Sequence, residues 1–307
     1  MNVFVLYCTA VLIWGTTWIA ISFQLGDVHP EVSLAYRFGL ASIMLFGYCW
    51  VTRLNLKFSF SQHVRLFGIA ISMFGFNYYL LYNGQQHLDS AMAAIAFSTL
   101  MVMNIVNGRI FLGTAISPRE YGGAGLGLLG ICTLFWPQLT GLTFNTDSLF
   151  GLGLCLAGTF IASLSNMLSV SNQKQKMPIV QSNAWAMGYG ASTMALLAVF
   201  NDHPFPIDLP VNYWLAMGYL ALFGSVIVFG IYLHLLGKIG ANKTSYITII
   251  TPAVAVVISS IFEDFTFTTY TVSGLLLILA GNVTVLLKSK VKPVQSQARF
   301  TDEAKAV

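Results

Sequence analysis

Arg37 is the one basic residue of this 307-residue chain that falls deep within an apolar run and away from its ends. It sits about two turns from the end of the run 31–52, roughly 9 Å along a helix at 1.5 Å per residue. A cation at such a depth costs at least about 2.5–3.5 kcal/mol on insertion scales, so it must face a watery cavity or a partner. Its planar fork of donors can grip a carboxylate or phosphate through two bonds at once. The competing reading is structural: Glu31 or Asp27 neutralises it, or its long stem snorkels to the surface.

Two aromatic sets could complete a binding site. In Phe76-Asn77-Tyr78-Tyr79-Leu80-Leu81-Tyr82-Asn83-Gly84-Gln85-Gln86, helical spacing puts Tyr78 and Tyr82 on one face and Tyr79 and Asn83 on the next. Such a wall can stack on and hydrogen-bond an amphipathic solute. Asn77 and Tyr78 lie deep enough to favour a cavity. Tyr82, Gln85 and Gln86 lie where an interfacial aromatic belt is the simpler reading. Trp14 and Trp18, also four apart, fall in mid-run, away from the usual belt depth, and are expected to line a cavity or pack between helices. Candidate binding residues are therefore Arg37, Trp14, Trp18, Asn77, Tyr78 and Tyr82. Trp185 falls near the other end of its run, where anchoring is the expected role. His234, close to Lys238, reads as a solvated or packed imidazole before a proton relay.

The elements that must position these residues are set by hydropathy. Charged residues make up 8% of the chain, against roughly 25% in a soluble domain, and mean hydropathy is +0.73. About 20 apolar residues span a bilayer as a helix. Runs of that kind occupy 4–24, 31–52, 64–84, 89–112, 119–137, 148–171, 179–200, 212–236, 243–262 and 269–288. The first has no basic n-region and exceeds a signal h-region, so an uncleaved span is expected. The expectation is an all-α integral membrane protein of ten transmembrane helices, followed by a disordered cytoplasmic tail at 289–307.

Charge placement bears on the same count. All of the fifteen Lys and Arg except Arg37 fall in or at the edges of the connections between runs 2 and 3, 4 and 5, 6 and 7, and 8 and 9, or at and after the end of run 10. The alternate connections hold Asp27, Glu31, Asp89, Asp147, Asp202, Asp208, Glu263 and Asp264. The positive-inside bias makes the basic side cytoplasmic and puts both termini there. The formal charge of +4 is thus a topology signal, and no nucleic-acid partner is implied.

The runs also echo one another. Gly15-Thr16 recurs as Gly158-Thr159 and Ser22 as Ser165. Pro30 precedes Arg37 by seven residues as Pro178 precedes Trp185. Thr99-Leu100 matches Thr251-Pro252, and Gly123 and Gly130 match Gly274 and Gly281. Taken in order these suggest a duplication into 1–137 and 148–288. With an odd number of spans in each half, the second half inserts inverted relative to the first.

At this point the chain resembles the drug/metabolite transporter superfamily, in its EamA-type ten-helix members. The resemblance covers about residues 4–288. Its carriers are Trp14-Gly15-Thr16-Thr17-Trp18, Arg37, Phe97-Ser98-Thr99-Leu100, Phe111-Leu112-Gly113, Thr251-Pro252-Ala253, Phe262-Glu263-Asp264 and Gly281-Asn282. Leu100 and Thr114 stand where the family usually has proline and glutamate. The resemblance implies a multi-pass protein of the inner (plasma) membrane. It would move small polar metabolites such as amino acids, often outward, by alternating access through a central cavity. A small-molecule substrate and the lipid bilayer are the expected partners; a homodimer is left open.

Other chemistry is poorly served. The five histidines, at 29, 63, 87, 203 and 234, are scattered, no helical His-Glu-x-x-His occurs, and neither a metal, another cofactor nor a catalytic group is expected. Cys8, Cys49, Cys132 and Cys155 have no paired spacing and read as small buried apolar groups. Gly122-Gly123-Ala124-Gly125-Leu126-Gly127 reads as a close helix-packing surface, not a phosphate loop. No Asp or Glu occupies a mid-run position, which argues against a proton-coupled drug exporter. A non-transporting receptor or assembly factor is the alternative outside transport, and solute flux distinguishes it.

Overall fold

Backbone polar groups inside hydrocarbon must be satisfied within their own segment, which leaves the helix as the solution for apolar runs. In the computed structural model, which describes residues 3–26, 28–113, 116–136, 146–239, 246–263 and 267–286, the runs are helical throughout. They are α1 (Val3–Ser22), α2 (Pro30–Val51), α3 (Phe60–Gln85), α4 in two pieces (Ser90–Phe97 and Leu100–Leu112), α5 (Pro118–Leu134), α6 (Thr146–Lys174), α7 (Ile179–Phe200), α8 (211–239), α9 (Tyr246–Phe262) and α10 (Thr269–Leu286). No strand occurs among the described residues.

Six of these are long and apolar enough to cross a membrane: α1, α2, α3, α4, α6 and the Val211–Tyr232 stretch of α8. The apolar stretches of α9 and α10 are shorter, Ile250–Phe262 and Thr269–Thr284. At 22 residues α7 has the length, but Gln181, Ser182, Asn183, Ser192 and Thr193 dilute it. The chain is an integral membrane protein by this composition. The expected tail at 289–307, with Asp27, Thr114 and Asp264, lies outside the described residues.

Local chemistry starts and stops the helices. Ser59 and Gln62 form a capping box at α3, and Ser117 and Glu120 another at α5, where Pro118 takes the first helical position. Gly113 ends α4 at φ 68°, a left-handed conformation that suits glycine. Both α3 and α8 contain a π-helical stretch, Ala70–Asn77 and Leu222–Ile227.

Packing pairs helices across the chain: α2 with α7, α5 with α10, α1 with α9, and α3 with α6. Small residues set the closest approaches. A Cβ on Gly130 would lie 2.7 Å from the Gly274 carbonyl oxygen, and one on Gly281 only 2.6 Å from that of Gly123. The glycines that echo each other in the sequence therefore meet at one interface, α5 against α10. Close packing is what the Gly122–Gly127 run was expected to serve.

Three polar clasps tie the acid-bearing end together. His203 Nδ1 meets Glu31 Oε1 at 2.6 Å, and His87 Nδ1 meets Asp147 Oδ1 at 2.7 Å. Glu263 accepts from the Ser90 N–H at 3.0 Å, from the Ser90 hydroxyl at 2.6 Å and from the Ser259 hydroxyl. Burial first, and then the Glu263 charge, push the neighbouring Asp89 carboxyl above its ordinary value. All four cysteines are free, with Cys49 and Cys155 buried as expected and Cys132 exposed.

Candidate functional site

A cavity of about 130 Å³ lies among α1, α2, α3, α4, α6, α8 and α9. Arg37 reaches it from α2 and is buried, with 1% of its surface exposed. The π-helical stretch of α8 receives the guanidinium. There Ser225 donates to the Leu220 carbonyl five residues back at 3.0 Å and accepts from Arg37 Nε at 3.2 Å. The Gly224 carbonyl accepts from Nη2 at 3.5 Å. A Cβ on Gly224 would stand 3.4 Å from that nitrogen and 2.9 Å from Thr17 Cγ2, so glycine leaves room for the approach. Widened π turns of this kind recur at functional sites because they offer backbone groups that a regular α-helix conceals.

On its other side Nη1 donates to the Tyr82 hydroxyl at 3.1 Å, which donates in turn to Gln24 Oε1 at 2.9 Å. The cation lies 4.8 Å from the Tyr78 ring centre and 5.3 Å from that of Phe38, within cation–π range. Among the described residues no carboxylate pairs with Arg37. Glu31, expected from the sequence as a neutralising partner, instead accepts from Asn201 Nδ2 at 3.3 Å and pairs with His203. Nor does the side chain snorkel outward. Three of the five guanidinium donors make these bonds, and Tyr78 is a further neutral partner.

Trp14, Trp18, Asn77 and Tyr78 line the cavity with Arg37. Trp14 packs on Tyr232 at 5.1 Å and Trp18 on Phe97 at 5.5 Å, so each tryptophan both lines and packs. Asn77 donates to the Met73 carbonyl at 3.2 Å, while its buried Oδ1 has no hydrogen-bond partner among the described residues. Tyr82 is fully buried one layer behind, where it holds Arg37 and does not line the cavity. The interfacial belt expected for Tyr82 and Gln85 is thereby corrected. Gln85 is buried and donates to the Trp18 carbonyl at 2.7 Å; Gln86 is exposed.

The remaining sequence candidates lie elsewhere. Trp185 donates to the Leu56 carbonyl at 3.1 Å within a cluster of Phe46, His63 and Tyr189. His234 is exposed, on a separate crevice shared with Asn183 and Ser225. Asn166 donates to Asn104 at 3.3 Å and Asn107 to Ser163 at 2.9 Å, bonds that join α4 to α6. Sequence reasoning missed Gly224, Ser225 and Gln24. The only available signal was a glycine–serine pair in an otherwise apolar run.

An all-helical membrane protein with an aromatic-walled cavity around a buried guanidinium that no described carboxylate pairs has the build of a solute transporter. The sequence profile of the EamA-like transporter family matches residues 1–136 and 149–287, and the chain belongs to that family. It is 21% identical to Protein PagO of Salmonella typhimurium over 99% of both chains. It is 23% identical to the uncharacterized transporter YoaV of Bacillus subtilis, covering 89% of this chain and 92% of that one. It is 25% identical to the uncharacterized inner membrane transporter YedA of Escherichia coli K12, over 81% and 79%. A solved crystal structure, 18% identical, shares the fold at a TM-score of 0.69, covering 94% of this chain and 99% of that one. Family and relatives point to membrane transport rather than enzymatic turnover.

Proposed function

We propose that this protein exports small zwitterionic or anionic metabolites, such as amino acids, across the inner membrane by alternating access through the Arg37 cavity. In this reading ten helices form two inverted five-helix halves, 1–137 and 148–288, with both termini in the cytoplasm. The reciprocal pairing of α2 with α7 and α5 with α10, and the π-helical stretches shared by α3 and α8, support the repeat. The name of YedA supports the inner membrane.

One observation carries the substrate reading: the Arg37 guanidinium is buried at the cavity and is met by neutral groups, with no carboxylate partner among the described residues. An isolated buried charge is unfavourable until something answers it. A substrate carboxylate would do so, and Asn77 Oδ1 would accept from a substrate ammonium.

The test is flux of amino acids in proteoliposomes. Arg37→Lys keeps the charge but loses the planar fork, and is expected to lower transport at least tenfold, about 1.4 kcal/mol of binding. Arg37→Ala is expected to abolish binding while the protein still folds. Transport that survives Arg37→Ala, or unfolding of that variant, would assign Arg37 to structure. Binding without flux would favour a receptor.

A further inference from the structure

Away from the cavity, the acid-bearing end brings two histidines face to face. His29 is the N-cap of α2, and the following Pro30 disfavours the α region for it; its φ and ψ are −59° and 140°. Opposite, α7 ends at Phe200 and Asp202 turns left-handed at φ 55°. The His203 N–H then bonds back to the Ala198 carbonyl at 2.9 Å, which folds its ring over the start of α2. The two imidazoles stack with centroids 3.5 Å apart and planes within 1°. Beside them is the Glu31 carboxylate, 2% exposed, bonded to His203 Nδ1 at 2.6 Å. The cluster joins the α1–α2 connection to the α7–α8 connection, one half of the chain to the other.

One charged imidazole can lie on a neutral one, and Glu31 can balance that charge. Two imidazolium rings at 3.5 Å repel each other with only one carboxylate to answer them. Among the described residues, ionisable groups near this cluster on the packed elements include Asp202 and Asp208, Tyr36 of α2, Tyr79 of α3 and Tyr213 of α8; Arg37, farther along α2, is engaged at the cavity. As classes, phenols titrate well above and carboxylates well below the range in which imidazoles change charge. The stacked pair is therefore the contact that a second proton would strain.

We infer that His29, His203 and Glu31 form a proton-binding clasp, closed with at most one proton on the stacked pair and opened by a second. Its ligand is the proton itself, delivered from the outer face in the proposed topology. Its action is to free the α1–α2 connection from the α7–α8 connection in acid. This inference does not depend on what the cavity carries.

Hydrogen exchange of the full-length protein in nanodiscs tests it, with rates corrected for their intrinsic pH dependence. Between pH 7.5 and pH 5.0, amides of 28–33 and 201–209 are expected to lose about tenfold in protection as like charge on the two rings drives the stack apart. His29→Gln removes the second titrating ring and spares the buried Glu31–His203 bond, so its protection should stay level. His203→Gln keeps an amide donor for Glu31 and should be level too. Wild-type protection that ignores pH overturns the proposal, and so does an acid loss that persists in His29→Gln.

Discussion

The Arg37 side chain is held by four kinds of contact at once: a serine hydroxyl, a backbone carbonyl, a phenol and two aromatic faces. None of them carries a negative charge. The phenol is the one that can be removed with least change in shape. Tyr82→Phe would leave Gln24 Oε1 without its donor and Nη1 without its anchor. A buried acceptor left unsatisfied costs about 1–3 kcal/mol. The variant should therefore unfold at lower temperature and bind substrate more weakly, as read by thermal unfolding in detergent and a binding titration. Destabilisation with unchanged affinity would show that Tyr82 supports the fold and not the orientation of Arg37. Sequence spacing could put Arg37, Trp14, Trp18, Asn77 and Tyr78 in spans, and the structure gathers them around one cavity. It could not find Ser225 or redirect Glu31 to His203, because both depend on which helices become neighbours.

At the scale of elements, small residues decide how near two helices come. Gly130 and Gly274 each sit where an added Cβ would press on the other's backbone, at 2.7 Å and 2.8 Å from the facing carbonyl oxygens. A backbone oxygen cannot rotate away as a side chain can, so the pair would have to separate. Gly130→Ala is expected to destabilise by about 1–3 kcal/mol, the range for overpacked interiors. Gly122→Ala, with open space around it, should be near neutral and serves as the control. Unfolding midpoints of the two variants in the same detergent check this; equal midpoints would contradict the close approach. The glycine pattern was visible in the sequence because packing by small residues has a spacing. The π-helical stretches were not, since Ala70–Asn77 and Leu222–Ile227 differ from ordinary apolar helix only in a hydrogen-bond shift that tertiary contacts select.

For the whole molecule, the alternation of basic and acidic connections makes a direct prediction about sidedness. In a background lacking the four native cysteines, single cysteines replacing Asp147 and Asp208 should label with an impermeant thiol reagent from outside. Those replacing Lys57 and Lys174 should label only after the membrane is opened. External labelling at Lys174 would overturn the ten-span arrangement, because the number of crossings before it would be wrong. Hydropathy made the fold class legible, since few soluble surfaces can be built with 8% charged residues. It was less informative for α5 and α7, whose glycines and polar side chains serve neighbouring helices at the expense of apolar length. A guanidinium with no carboxylate partner among the described residues also has an electrical consequence. An empty carrier that exposes Arg37 first to one side and then to the other would shift part of a positive charge through the membrane field, where a full elementary charge over 100 mV is worth about 2.3 kcal/mol. Loaded with a monoanion the same passage would be nearly neutral. Membrane voltage would then act chiefly on the return of the empty carrier, and net flux would respond to it while one-for-one exchange of monoanions would not.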